Sequence, residues 1–187
     1  MPRASADEDD RWFAIDLANT VACPSCQGPD PLASYVGARK WIERKRPELR
    51  HRLRPDELAL LRRFRSDVRQ LLSVAVEGTT PSRAAMDAIN RAVRAPRPHP
   101  ELRWSRRGWR AEYRGGTTAV YRQITSLAAR SLIDLLSEAP RSCVRRCEGP
   151  GCVHFLVDPT KQQRWCSPSG CGNRVRVQRH YRKLRSS

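Results

Sequence analysis

Four cysteines, Cys147, Cys152, Cys166 and Cys171, follow one another as C-x4-C-x13-C-x4-C, and the last opens a basic run, CGNRVRVQRHYRKLR. Two equally spaced pairs can bring thiolates in from opposite sides of a tetrahedron, the shape zinc takes with four sulfur ligands. The thirteen residues between the pairs, VHFLVDPTKQQRW, hold an apolar run (Val153, Phe155, Leu156, Val157), a turn signal at Asp158-Pro159 and a polar return to Trp165. They predict a knuckle, a short hairpin, and a second knuckle that becomes a helix. Residues 141–187 are too few to bury a self-sufficient core. Metal is therefore expected to supply folding free energy on the order of 10–16 kcal/mol, and without zinc the segment is expected to be disordered.

The competing uses of such cysteines fit less well. A secreted disulfide scaffold normally carries a signal peptide and an even cysteine count, whereas this chain opens MPRASADEDDRW, with no apolar segment, and has seven cysteines. A cytoplasmic location is the expectation. Four thiolates also close the zinc shell and leave no position for water, so the site is read as structural rather than catalytic.

The stretch RRCEGPGCVHFLVDPTKQQRWCSPSGCGNRVRVQRHYRK resembles the CGNR zinc finger, whose hallmark stands here as Cys171, Gly172, Asn173 and Arg174. The family's preceding cysteines match Cys147, Cys152 and Cys166, and its hairpin and W-C-S element match Phe155 and Trp165 to Ser167. Near the other end, Asp16-Leu17-Ala18-Asn19-Thr20 is similar to the D-x-x-N-T opening of the ABATE domain. In bacterial proteins that domain precedes the finger, and the combination implies a stress-induced transcription regulator. Cys23-Pro-Ser-Cys26, just after the opening, departs from that pattern.

Net charge is +17, but its distribution matters more than its size. Only four of the 36 basic residues are lysines (Lys40, Lys45, Lys161, Lys183), a bias that genome composition alone can produce. Residues 141–187 hold 11 Lys or Arg against two acids, Glu148 and Asp158, a formal +9 that a Zn(Cys)4 centre reduces to +7. The preceding 140 residues carry only +8. Such a concentrated patch binds duplex DNA by counterion release before any base is read.

On a helix opening near Gly172, the 100° step puts Arg176, Arg179 and Lys183 on one strip and Val177, Tyr181 and Leu184 on another, expected to face the hairpin. Arg174, Arg176, Arg179, Arg182 and Lys183 are the candidate nucleic-acid contacts, Arg174 standing at the helix start. Asn173 could cap the helix or read adenine. The other reading of the run is a solvated basic tail.

The expected fold class is α+β: a mostly helical N-terminal domain with one β-hairpin, followed by a small treble-clef-like finger of hairpin and helix. Residues 1–10 are expected to be a disordered tail, 11–140 the helical domain and 141–187 the finger. A helix is predicted over Leu32 to Lys45, partly burying Tyr35, Trp41 and Ile42, with Gly37 unfavourable inside it. Pro55 and Asp56 start a second, with Leu58, Leu61, Phe64, Val68, Leu71, Leu72 and Ala75 as its stripe, ended at Gly78. Thr80-Pro81 starts a third through Ala85, Ile89 and Val93, which ends before the Pro96-to-Pro100 linker. Alternation around Arg106-Arg107-Gly108 predicts a hairpin. Thr117 or Thr118 then caps a helix with Val120, Ile124, Leu127, Leu132 and Leu135 inward, stopped by Pro140. A chain ending near Pro140 is expected to fold without zinc.

Enzyme motifs are absent from the sequence: no Gly-rich phosphate loop, no GxSxG, no HExxH, and four scattered histidines. Asp16 and Asn19 could line a pocket for a small-molecule ligand of the N-terminal domain, or serve as a cap or hydrogen-bond anchor. Cys23 and Cys26 are read as incidental loop cysteines, with redox sensing as the alternative. No stretch is apolar enough to span a membrane. The expected protein is a transcription regulator that is not an enzyme, with zinc as cofactor and double-stranded DNA as partner. RNA binding, or a finger that docks an enzyme onto another protein, are the alternatives.

Overall fold

The computed structural model describes residues 10–23, 28–49, 53–95, 99–115, 119–138 and 143–185. The expected tail (apart from Asp10), Cys26, residues 96–98 of the linker, the capping threonines 117 and 118, and Pro140 lie outside them. The helices are α1 (Phe13–Ala18), α2 (Tyr35–Lys45), α3 (Glu57–Glu77), α4 (Arg83–Val93), α5 (Val120–Glu138) and α6 (Asn173–Arg185). Two antiparallel hairpins accompany them, β1 (His99–Ser105) with β2 (Gly108–Arg114), and β3 (Val144–Arg146) with β4 (Phe155–Val157).

Local chemistry sets the helix limits. The carboxylate of Glu57 accepts the Arg54 N–H at 2.9 Å at the start of α3. At its end Gly78 takes φ +69° and returns its N–H to the Val74 carbonyl, a left-handed stop that favours glycine. The Ser82 hydroxyl caps α4 by accepting the Ala85 N–H. α2 begins after a 3-10 turn, Pro31–Ala33, with the Ser34 hydroxyl accepting the Gly37 N–H. Gly37 is explained by space: a Cβ there would sit 2.4 Å from the Pro31 carbonyl oxygen. Gly37→Ala is expected to destabilise the chain by about 1–3 kcal/mol, because backbone must move to admit the methyl. A urea titration followed by circular dichroism measures it.

The apolar stripes meet in one core. α1 packs on α3 and α5, and α4 packs on the same pair. Phe13 and Leu17 from α1, Leu61, Val68 and Leu72 from α3, Ile89 from α4, and Val120, Ile124 and Leu132 from α5 are buried there. Each such side chain contributes about 1.5–3 kcal/mol by leaving water. Val144 and Phe155, from the second hairpin, belong to the same core.

The DLANT element is a connector. The Arg65 guanidinium, buried on α3, donates to the Thr20 hydroxyl at 2.9 Å and to the Asp30 carboxylate at 2.7 Å. Asp16 pairs with Lys45 at 2.6 Å. Asn19 reaches the other way: its side-chain amide donates to the Phe155 carbonyl and its oxygen accepts the Phe155 N–H, both at 2.8 Å. That reciprocal pair adds Asn19 to strand β4 as a short substitute strand partner.

Candidate metal centre

The four predicted cysteines converge at the end of the second hairpin. All their Sγ atoms lie within 4.8 Å of one another. Cys152 and Cys166 are 3.8 Å apart, as are Cys166 and Cys171. A tetrahedron with zinc–sulfur bonds of about 2.3 Å needs sulfurs about 3.8 Å apart, so the cluster fits zinc. When bound, zinc closes two loops around one point and adds folding free energy.

Backbone builds the two knuckles. The Cys147 N–H is tied to the His154 carbonyl at 3.0 Å and the Cys152 N–H to the Gly149 carbonyl at 2.9 Å. The N–H groups of Gly149 and Cys166 point at the Cys147 sulfur, at 3.4 and 3.2 Å. A Cβ at Gly149 would lie 2.9 Å from the Cys171 sulfur, so the first knuckle closes only over glycine. The Ser167 hydroxyl accepts the Gly170 N–H at 3.0 Å and opens the π-helical turn Pro168–Gly172 that leads into α6. Gly172 is buried, and a Cβ there would meet Trp165 at 3.3 Å.

Between the knuckles the buried Asp158 carboxylate takes the N–H and hydroxyl of Thr160 and the N–H of Gln163. Burial opposes its ionisation, but these bonds together hold its pKa below the usual carboxylate range.

The sulfurs share charge unequally. Burial raises the Cys152 thiol to about 11, and burial with the neighbouring Cys147 and Cys152 thiols drives Cys166 higher still. Cys147 moves down despite its burial, because the amides of Cys166 and Gly149 donate to it. Zinc uptake at neutral pH therefore releases protons, and affinity falls as pH falls.

Cys23 comes closer to this site than its sequence position suggests. Its buried sulfur is 3.7 Å from that of Cys152, and with His154 the two form a second group of potential ligands. Cys23 is disulfide-bonded, which removes its thiolate from the ligand set. Burial lowers the pKa of His154, whose Nε2 lies 3.3 Å from the Val21 carbonyl. Cys143 is a buried free thiol outside the four-sulfur group. A cleft of about 610 Å³ opens beside the centre, with Asp16, Asn19, Trp41 and Lys45 on one side and His154 and Cys166 on the other.

The predicted basic residues all stand on α6, and none of its residues is buried. Arg179, Arg182 and Lys183 are exposed along it, while Arg174 is half-buried at its start. Arg176 is exposed but turns back, donating to the Pro168 carbonyl at 3.0 Å. Asn173 is exposed, and the capping role falls to Ser167.

Two expectations are corrected. The hairpin does not lie between the knuckles, since β3 precedes Cys147 and pairs with β4 across the first knuckle, and the apolar strip of α6 does not pack on that hairpin. Val177, Tyr181 and Leu184 do not face the hairpin; they are 43, 62 and 61 % exposed. The hairpin has no apolar face left for them, because Val144, Phe155 and Val157 pack on the helical body and Leu156 packs on Cys147 and Cys171.

Two contacts across this junction are not signalled by residue spacing. Arg69 of α3 donates to the carbonyls of Ala18 and Val153, and Arg146 of β3 pairs with Glu77 at 2.7 Å. Each guanidinium lies 5.1 Å from the Phe155 ring centre. Arg69, on an otherwise apolar-striped helix, is the one signal the sequence offers; Arg146 on β3 carries none.

A helical body joined by a shared core to a small hairpin-and-helix module with four converging thiolates defines a zinc-finger protein. Residues 13–139 match the family model ABATE, described as "Putative stress-induced transcription regulator", and residues 144–183 match the CGNR zinc finger. The chain belongs to the ABATE family and carries a CGNR finger. Both are of regulator and zinc-finger type rather than enzyme type. A search of curated proteins finds no match. No helix among the described residues is long and apolar enough to cross a membrane.

Proposed function

We propose that this chain is a cytoplasmic, non-enzymatic transcription regulator that binds duplex DNA through α6, while the helical body senses a signal or mediates assembly. The observation that carries the reading is α6 itself: a cationic helix with no buried residue, fixed at its start by a zinc ligand, Cys171. Its thirteen residues extend about 20 Å, and a helix of ordinary diameter enters the major groove, which is about 12 Å wide. Arg179, Arg182 and Lys183 then meet phosphates, which fixes register, while Arg174 at the helix start is placed to reach a base edge. The cleft beside Cys166 supports the sensory role, since a small molecule lodged between the Asp16–Lys45 pair and His154 would press on the finger that carries α6.

Replacing Arg176, Arg179 and Lys183 together by Ala is expected to weaken binding to every duplex. The slope of log affinity against log salt should fall by about 1.8 to 2.7, at roughly 0.9 per phosphate contact. The lower figure applies where Arg176 stays on Pro168. Arg174→Ala should instead relax sequence preference by about 1–3 kcal/mol if it reads guanine. Titrations over a salt series measure both, after selection from random DNA and RNA pools defines the preferred duplex. Unchanged affinity and slope in the triple variant would remove DNA from the reading. A second reading, a protein-docking finger, is favoured by exposed Val177, Tyr181 and Leu184 on the same helix, and would then move ahead.

A further inference from the structure

The first hairpin presents a second surface. Its register pairs Trp104 with Trp109 and Leu102 with Ala111, so these four residues share one face. That face is uncovered: Leu102 is 71 % exposed and each tryptophan 68 %. The indoles pack edge to face with ring centres 4.9 Å apart, which presents them as one block. Two strands alone are marginally stable in water, and an aromatic face left open on them points to a partner.

Charge says which kind of partner. On the reverse face Glu101 and Glu112 are both paired with Arg103 and Arg114, so the base of the hairpin is internally neutralised. The tip is different. Arg106 and Arg107 form the two-residue turn between Ser105 and Gly108, and Arg110 follows on the reverse face. All three are exposed, and among the described residues none has a carboxylate within ion-pair distance. Two copies meeting tip to tip on this face would bring like charges together, whereas a polyanion is attracted by them.

We infer that the β1–β2 hairpin is a second DNA-contacting element, a wing that lies against duplex DNA. Arg106 and Arg107 meet phosphates, and the Trp104–Trp109 block packs on sugars and the groove edge. Two-stranded ribbons have the width to enter a groove, and apolar side chains at its edge are an established mode of contact. The inference rests on the DNA-binding reading and extends it to the helical domain.

The test uses the full-length zinc-loaded chain and the duplex selected by it. Arg106→Ala with Arg107→Ala should lower the salt slope by about 1.8, two phosphate contacts at 0.9 each. Trp104→Ala with Trp109→Ala should lower affinity about 10- to 30-fold and leave the slope unchanged, since no charge is removed. Both pairs are exposed, so thermal melting of the free protein should stay within a few degrees of wild type. A wild-type chain that binds DNA, with hairpin variants that match it in affinity and slope, overturns the wing and leaves the role of α6 standing. A wild-type chain with no salt-dependent DNA binding overturns both. Sedimentation provides the remaining check: a wild-type dimer that becomes monomeric in the tryptophan variant assigns the face to a second copy and also overturns the wing.

Discussion

Cys166→Ser should abolish stoichiometric zinc. The Cys166 sulfur lies 3.8 Å from those of both Cys152 and Cys171, and its N–H also donates to the Cys147 sulfur. Removing it takes away one of the four ligands and leaves the second knuckle with Cys171 alone. Wild type is expected to hold one zinc per chain after dialysis, and the variant close to none. The site as a whole contributes on the order of 10–16 kcal/mol, so loss of most of it is comparable with the total stability of an ordinary domain, about 5–15 kcal/mol. Cys23→Ser is the informative contrast, because Cys23 is as near to Cys152 as a true ligand but is disulfide-bonded. It should retain full stoichiometry. Metal analysis of the two variants decides the ligand set: zinc retained by Cys166→Ser, or lost by Cys23→Ser, would require a different one.

Much of this centre is legible in the sequence, because zinc ligation constrains residue type and spacing together. The cysteine spacing locates the four sulfurs, and the α+β class with its helical stripes follows from periodicities of 3.6 and 2. What stays hidden depends on contacts distant in sequence. Asn19 and Phe155 are 136 positions apart, and neither reveals the other, since an Asn after a short helix caps far more often than it pairs with a strand. The facing of α6 is illegible for a related reason. Its stripe of Val177, Tyr181 and Leu184 requires an apolar surface opposite, and sequence cannot show that Phe155 and Val157 already face another way. Gly37 reads as a helix weakness, but the nearby Pro31 carbonyl makes glycine the residue that fits.

The shared core leads to the second large effect. The sequence suggests a helical domain that folds whether or not the finger is present, and that expectation does not include Phe155. Its side chain is 1 % exposed within the core of the helical body, and its backbone is clamped by Asn19. Arg69 and Arg146 lie against the ring, so truncation also leaves two guanidinium groups over a void. Phe155→Ala should therefore cost about 3–5 kcal/mol, the range for emptying a buried aromatic site. The loss should register in the helical signal of α3 and α5, not only in the finger. A chelator should move wild type in the same direction, because the knuckles at Cys147 and Cys152 flank the strand that carries Phe155 into the core. Urea unfolding by far-ultraviolet circular dichroism, with and without chelator, measures both. Helix unfolding at the same urea concentration in wild type, in Phe155→Ala and in chelated protein would mean that the body is stable alone and that the finger merely rests on it. A common downward shift would mean that zinc is a ligand of the whole fold, so that occupancy of the metal site sets the stability of the helical body as well as that of the finger.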